Sequence, residues 1–139
     1  MCVSIEFPLA QKSSPFGIIS DPKIPISIRT LAGYFTYRFL VDTGADFSLA
    51  PRRLASQIGL DWNTLQETLV TGIEQGHVPA RLGYLPIRIQ ELDVKVRCLF
   101  IDARKSLFIL GRADFLDRFV LTIDHSRQRI ILTEIKAKT

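Results

Sequence analysis

The stretch 39–46 constrains the fold more than any other part of the chain. It reads Phe-Leu-Val-Asp-Thr-Gly-Ala-Asp, so three apolar residues lead into an acid, a hydroxyl and a glycine. The apolar run predicts a buried strand, and Gly44 predicts a tight turn or a close approach to another chain. The Asp42 carboxylate is therefore expected at the end of a rigid strand, which fixes its position. By itself the pattern also fits an ordinary strand and turn, because Asp and Gly are common turn residues.

A second apolar segment, 107–110, also ends in a glycine. It reads Leu-Phe-Ile-Leu, and Gly111 and Arg112 follow it. Its near-continuous apolar character predicts a strand that is buried on both faces. Beyond it, the spacing of apolar residues predicts a short helix over 112–118.

Together, Leu-Val-Asp-Thr-Gly-Ala-Asp and the later Ile-Leu-Gly-Arg resemble the retroviral-type (retropepsin-like) aspartic proteases. In that family the two segments cross beneath the active site, and the second supports the catalytic loop. The resemblance covers about residues 24–132. It implies an all-β, retropepsin-like acid protease fold: a closed β-barrel-like subunit with a flap hairpin and one or two short helices. A helix-like insert after Asp46 is similar to bacterial and cellular members rather than viral ones.

Length and composition predict one soluble globular domain over 1–139. The chain has 139 residues, of which 47% are hydrophobic and 23% charged, an ordinary globular composition. No apolar run approaches the roughly 20 residues of a membrane span, so no membrane partner is expected. Cys2 and Cys98 suggest neither a metal site nor a disulfide framework. With no export signal evident at the N-terminus, the sequence predicts a cytoplasmic protein.

The charge pattern argues against nucleic-acid binding. Eighteen basic and 14 acidic residues give 18 − 14 = +4, but the basic residues are scattered and are not interleaved with aromatic ones. His77 and His125 show no metal-ligand spacing to each other or to the cysteines. We therefore expect no nucleic-acid partner, no metal and no cofactor.

Alternating apolar residues predict a series of strands. Segments 23–30 and 34–41 predict a hairpin that delivers Asp42. The preceding segment 11–15 is predicted to be a polar loop.

Segments 67–73 and 78–89 predict a long hairpin around residues 74–77. It has the right place for the flap, the strand pair that closes over bound peptide in the family. The family's flap has a glycine-rich tip, whereas here Gly72 and Gly76 only bracket the turn. An ordinary surface hairpin is the alternative.

The resemblance implies a role for each matching residue. Asp42 is the catalytic carboxyl, Thr43 bonds across a dimer, and Gly44 approaches the substrate backbone. Asp46 contacts substrate and pairs with Arg112. The implied substrate-binding residues are Ala45, Asp46, Gly72, Ile73, Gly76, His77 and Val78, and the implied supporting residues are Leu110, Gly111 and Arg112.

Peptide hydrolysis by aspartic acids needs two neighbouring carboxyls. One takes a proton from water while the other protonates the carbonyl oxygen under attack, and two such groups at short range share one proton. This chain has one Asp-Thr-Gly. The predicted function is therefore a homodimeric aspartic endopeptidase with Asp42 of each subunit at the two-fold axis. Its substrate would be a peptide or protein segment in extended conformation.

The alternative is a catalytically inactive peptide-binding or dimerisation module on the same fold. The intact Asp-Thr-Gly argues against it, because a binding module has no need of that acid. The atypical flap and the lengthened N-terminal segment argue for it.

Overall fold

The structure is a computed structural model that describes residues 3–71 and 76–135. Within these residues the fold is all-β, with one α-helix, α1 (Arg52–Gln57), and two 3-10 helices, Trp62–Thr64 and Leu116–Arg118. The strands are β1 (Ser4–Pro8), β2 (Ala10–Ser14), β3 (Gly17–Asp21), β4 (Lys23–Thr30), β5 (Gly33–Val41), β6 (Ser48–Pro51), β7 (Gln66–Thr71), β8 (His77–Ile89), β9 (Leu92–Ile101), β10 (Ile109–Leu110), β11 (Phe119–Asp124) and β12 (Arg129–Glu134).

The largest sheet has the strand order β4-β5-β10-β6-β9-β8-β7. Strand β4 also pairs with β8, through Ser27 opposite Arg88 and Ile28 opposite Ile87. Six strands therefore form a closed circuit of paired neighbours, and β7 extends beyond it as the outer strand of the β7–β8 hairpin. A second sheet has the order β1-β12-β11, and β2 pairs with β3 alone.

Alternation along the strands places one face of each in the core. In β4, Ile24, Ile26 and Ile28 are fully buried, as their period of two predicts. Leu54 and Ala55 of α1 are also buried and join the same core. Cys98 lies in this core with a free thiol, and burial raises its pKa.

Strand β10 lies between β5 and β6, which are consecutive in sequence. It runs parallel to β5, with Ile109 beside Leu40 and Leu110 beside Val41, and antiparallel to β6. Just before it, the Phe108 ring packs edge-on against Phe39, 5.4 Å between ring centroids. This insertion carries the residues after β10 to the end of β5, where Asp42 lies.

Two predicted elements are wrong. Segment 11–15 is not a polar loop, because β2 pairs with β3 in a hairpin that turns at Pro15 and Phe16. Its polar residues suit a strand whose two faces are both exposed.

The predicted helix over 112–118 is also wrong: the chain makes turns and then a single 3-10 turn. Asp114 has a positive φ of 66°, which interrupts a right-handed helix. Its carboxylate accepts a hydrogen bond from the backbone N–H of Arg97, which holds it in that conformation. The apolar residues still reach the core, since Phe115, Leu116 and Phe119 are buried.

Across residues 3–71 and 76–135, every helix is too short or too polar to cross a membrane.

Replacing Ile28 by alanine tests the closure between β4 and β8. Ile28 is fully buried, so we expect Ile28→Ala to lower the free energy of unfolding by about 2–5 kcal/mol. The matched control is Ile135→Ala, because Ile135 is 52% exposed and should cost less than about 1 kcal/mol. Urea unfolding monitored by circular dichroism measures both. Equal losses in the two variants would contradict this description of the core.

Candidate active site

Asp42 lies directly after β5 and is held by main-chain hydrogen bonds. Its N–H donates to the carbonyl oxygen of Leu110 at 3.0 Å, and the N–H of Val41 donates to Pro22 at 2.9 Å. The strand end is therefore fixed from both sides, by β10 and by the start of β4. The Asp42 side chain is half-buried at this point.

The turn after Asp42 orients its carboxylate. The N–H of Gly44 donates to Asp42 Oδ1 at 2.9 Å, and the N–H of Ala45 donates to the Asp42 carbonyl at 3.2 Å. These bonds form a turn that an Asp side chain stabilises. A Cβ at Gly44 would lie 3.3 Å from Asp42 Oδ1, so a glycine leaves this carboxylate uncrowded.

Gly111 crosses closely beneath residues 42–47, here called the Asp42 loop. A Cβ at Gly111 would lie 2.4 Å from the carbonyl carbon of Phe47 and 2.9 Å from the carbonyl oxygen of Ala45. No side chain fits at that distance. The N–H of Gly111 donates to Ser48 Oγ at 3.1 Å, which satisfies a polar side chain that is fully buried.

Arg112 braces the Asp42 loop from below. Its guanidinium pairs with the Asp46 carboxylate and donates to the Thr43 carbonyl at 2.7 Å. Its backbone N–H donates to the Ala45 carbonyl at 2.9 Å. One arginine therefore fixes three residues of the loop, and the pairing of Asp46 with Arg112 that the resemblance implied is present.

A second ion pair supports the loop from β9. The Arg97 guanidinium donates to both carboxylate oxygens of Asp114, at 2.7 and 3.2 Å. It also lies over the Phe47 ring, with its central carbon 5.5 Å from the ring centroid. The hydrogen bond from Arg97 lowers the pKa of the Asp114 carboxyl. This pair therefore links the chain after β10 to Phe47 at the end of the Asp42 loop.

A cavity of about 300 Å³ opens beside the Asp42 loop. Polar and apolar atoms contribute about equally to its wall, and the last three residues of β7 supply one side. The lining residues are Gly44, Ala45, Asp46, Phe47, Leu49, Leu69, Val70, Thr71 and Leu99.

The predicted flap residues lie in different places. Gly72 and Ile73 fall outside the described residues. Gly76 and His77 are exposed at the start of β8, while Val78 is buried in a small cluster with Leu49 and Ile101. Val70 and Thr71 of β7 form part of the cavity wall. They pair with Val78 and His77 of β8.

Sequence reasoning missed Ser48 and Arg97. A hydroxyl between the apolar residues Phe47 and Leu49 on a strand indicates a buried group that needs a partner, and this signal could have found Ser48. Arg97 gave no local signal, because its partner Asp114 is 17 residues away and was expected on a helix. Within residues 3–71 and 76–135, no group of three or more His, Cys, Asp or Glu side chains could hold a metal ion.

Comparison with protein families shows the family of the chain. The family model described as aspartyl protease matches residues 26–113, a span that contains both the Asp42 loop and Arg112. The chain belongs to the aspartyl protease family. The matched span runs from β4 to the turn after β10. It therefore includes the Asp42 loop and the segment that braces this loop.

Solved structures show that this aspartyl protease has a retropepsin-like fold. A retropepsin-like aspartic protease from Rickettsia conorii is similar with a TM-score of 0.63 and 20% identity, over 96% of this chain and 94% of that chain. The retroviral protease-like domain of Ddi1 from Leishmania major has a TM-score of 0.56 and 16% identity, over 85% and 96% of the two chains. The sequence matches no curated protein significantly.

Replacing Gly111 by alanine tests the crossing beneath the Asp42 loop. The added methyl group would overlap the Phe47 carbonyl, so the loop must move. We expect Gly111→Ala to lower the free energy of unfolding by about 3 kcal/mol or more. The control is Gly33→Ala, where φ is +109° but the space is open, and strain alone should cost about 1–2 kcal/mol. A smaller loss at Gly111 than at Gly33, measured by urea unfolding, would contradict the crossing.

The Asp114–Arg97 pair predicts a pH-dependent contribution to stability. Because the pKa of Asp114 is lowered in the folded chain, its contribution is present above the unfolded pKa of about 3.9 and is lost as pH falls through the lower folded value. The stability difference between wild type and Asp114→Asn should therefore be largest at neutral pH and shrink below about pH 4. Urea unfolding from about pH 3 to pH 7 measures it. Asp117→Asn, at an exposed position, is the control, and a pH-independent difference for Asp114→Asn would refute the pair.

Proposed function

We propose that the chain is a homodimeric aspartic endopeptidase whose two Asp42 carboxyls, one from each copy, activate the attacking water. The observation that carries this proposal is the position of Asp42, which is fixed at the end of β5 by Leu110 and Gly44 in a chain of the aspartyl protease family. A fixed carboxyl beside an open cavity is what general acid–base catalysis requires.

The need for a second copy follows from the neighbouring acids. Asp46 is engaged by Arg112, and Asp114 by Arg97, so each of these carboxylates already has a cationic partner. The Arg97 pair lowers the pKa of the Asp114 carboxyl, which makes it a poor proton donor, and the Asp46 carboxylate is occupied by Arg112. The second catalytic carboxyl is therefore assigned to Asp42 of another copy. A two-fold axis beside the Asp42 loop would bring the two together.

In the proposed reaction, the ionised member of the pair takes a proton from water as the water attacks the peptide carbonyl carbon. The protonated member donates its proton to the carbonyl oxygen. The two carboxyls then exchange roles: the newly protonated one donates its proton to the leaving amine nitrogen, and the other takes a proton from a hydroxyl of the tetrahedral intermediate as the C–N bond breaks. The Gly44 N–H on Asp42 Oδ1 fixes the direction of one oxygen during these transfers, and Thr43 is assigned to the contact with the partner's loop.

The cavity beside the loop supports binding of an extended peptide. Phe47, Leu49 and Leu99 give it an apolar wall, so we assign it to an apolar side chain near the scissile bond. The β7–β8 hairpin is assigned the role of the flap, because Val70 and Thr71 face the loop across this cavity. A peptide between hairpin and loop would bind as an added strand.

Asp42→Asn is expected to abolish cleavage. The amide cannot take a proton from water, so cuts in a diverse peptide mixture should fall at least about 1,000-fold. Mass spectrometry of the digests from about pH 4 to pH 7 measures this, with Asp117→Asn as the matched control at an exposed acid. Because two copies form the site, the rate should also rise faster than linearly with protein concentration when the dimer is dilute.

Two outcomes would contradict the proposal. Cuts that persist in Asp42→Asn would remove this carboxyl from the mechanism. A folded wild type that binds peptides but makes no cuts at any concentration would favour the inactive binding module.

A further inference from the structure

The β2–β3 hairpin, residues 10–21, exposes three large apolar side chains. At its turn, Phe16 is 99% exposed, and in β3 Ile18 and Ile19 are 71% and 47% exposed. Large exposed apolar side chains that are grouped in one element are typical of a contact surface rather than of free solvent-facing structure.

The hairpin has no apolar partner within itself. Ile18 and Ile19 are consecutive and so point to opposite faces, and their cross-strand partners are Ser13 and Lys12. Among the strands of residues 3–71 and 76–135, β2 and β3 pair only with each other. A two-stranded hairpin without a hydrophobic face is marginally stable in water, so these side chains gain most by packing against another surface.

The base of the hairpin is fixed next to Asp42. Leu9, just before β2, is buried and donates its N–H to the Gln128 carbonyl at 2.9 Å. Pro22, just after β3, accepts the hydrogen bond from Val41, the residue before Asp42. The hairpin therefore leaves the body of the chain beside the catalytic carboxyl, and its strands of five residues each extend roughly 15 Å from there.

We propose that this hairpin is an arm through which one copy grips a second copy of the chain. The inference rests on the proposed function, because only a second copy supplies the other Asp42, and the base of the hairpin lies next to the strand end that carries Asp42. Phe16 and Ile18 pack against the partner's body, and the Asp42 loops meet at the axis. A stable interface buries roughly 800 Å² per partner, so the arm and the loops together form the contact.

The test compares the double variant Phe16→Ser/Ile18→Ser with the control Leu31→Ser. Leu31 is 79% exposed and follows β4 at the turn into β5, roughly 25 Å from Asp42 along β5. Both variants lose exposed apolar surface, but only the double variant changes the hairpin. Sedimentation velocity over a dilution series gives the dimer dissociation constant, and peptide cleavage at the same concentrations gives the activity.

We expect the double variant to raise the dimer dissociation constant at least about ten-fold, while the control leaves it unchanged. At concentrations where the double variant is again dimeric, its activity per dimer should match that of the wild type, because the arm does not touch the reacting atoms. Circular dichroism should show the same fold in all three proteins.

An unchanged dimer dissociation constant in the double variant would contradict the proposal that the hairpin contacts the second copy. Binding of the same proteins to vesicles of mixed phosphatidylcholine and phosphatidylglycerol is measured as well. Binding that the double variant loses, with dimerisation intact, would overturn the proposal and assign the hairpin to a lipid surface. A wild type that dimerises but never cleaves would refute the proposed function alone, since sedimentation would still report on the hairpin.

Discussion

The main-chain crossing of β10 beneath the Asp42 loop is the interaction on which the site depends. The backbone of Leu110 accepts from Asp42, and the backbone N–H of Arg112 donates to Ala45. Neither bond needs a particular side chain, but the close approach requires that residue 111 have none. Because β10 lies between β5 and β6, the sheet fixes the position of these two hydrogen bonds. The Asp42 carboxyl is thus held by backbone hydrogen bonds, and Arg112 braces the loop with its side chain.

A chain with one positioned carboxyl cannot carry out acid–base hydrolysis of this kind alone, and its surface is consistent with that incompleteness. The nearby acids Asp46 and Asp114 already pair with Arg112 and Arg97. The most exposed apolar side chain, Phe16, belongs to a hairpin that starts beside Asp42. Dimer contact and catalysis would therefore be coupled through the same end of β5, so the strength of the dimer would set the activity at low concentration.

Sequence reasoning succeeded where the signal was local and failed where it depended on distant partners. Alternation placed Ile24, Ile26 and Ile28 on one buried face, and the resemblance to the retropepsin-like proteases implied the crossing of the second apolar segment beneath the site. The short helix after Arg112 was predicted wrongly, because the positive φ of Asp114 depends on Arg97 in β9. The β2–β3 hairpin was missed for a related reason. Its strands have no alternating apolar face, so backbone pairing was the only signal, and periodicity cannot detect it.

The central claim is that each active site contains Asp42 from two copies, and mixing wild type with Asp42→Asn tests it most directly. The two proteins are unfolded together, refolded as a mixture with about ten-fold excess of the variant, and checked for mixed dimers by native mass spectrometry. We expect activity per wild-type chain to fall to about one-tenth, because most wild-type chains then pair with a partner that lacks the Asp42 carboxyl. Unchanged activity per wild-type chain in the presence of mixed dimers would show that one chain contains a complete site.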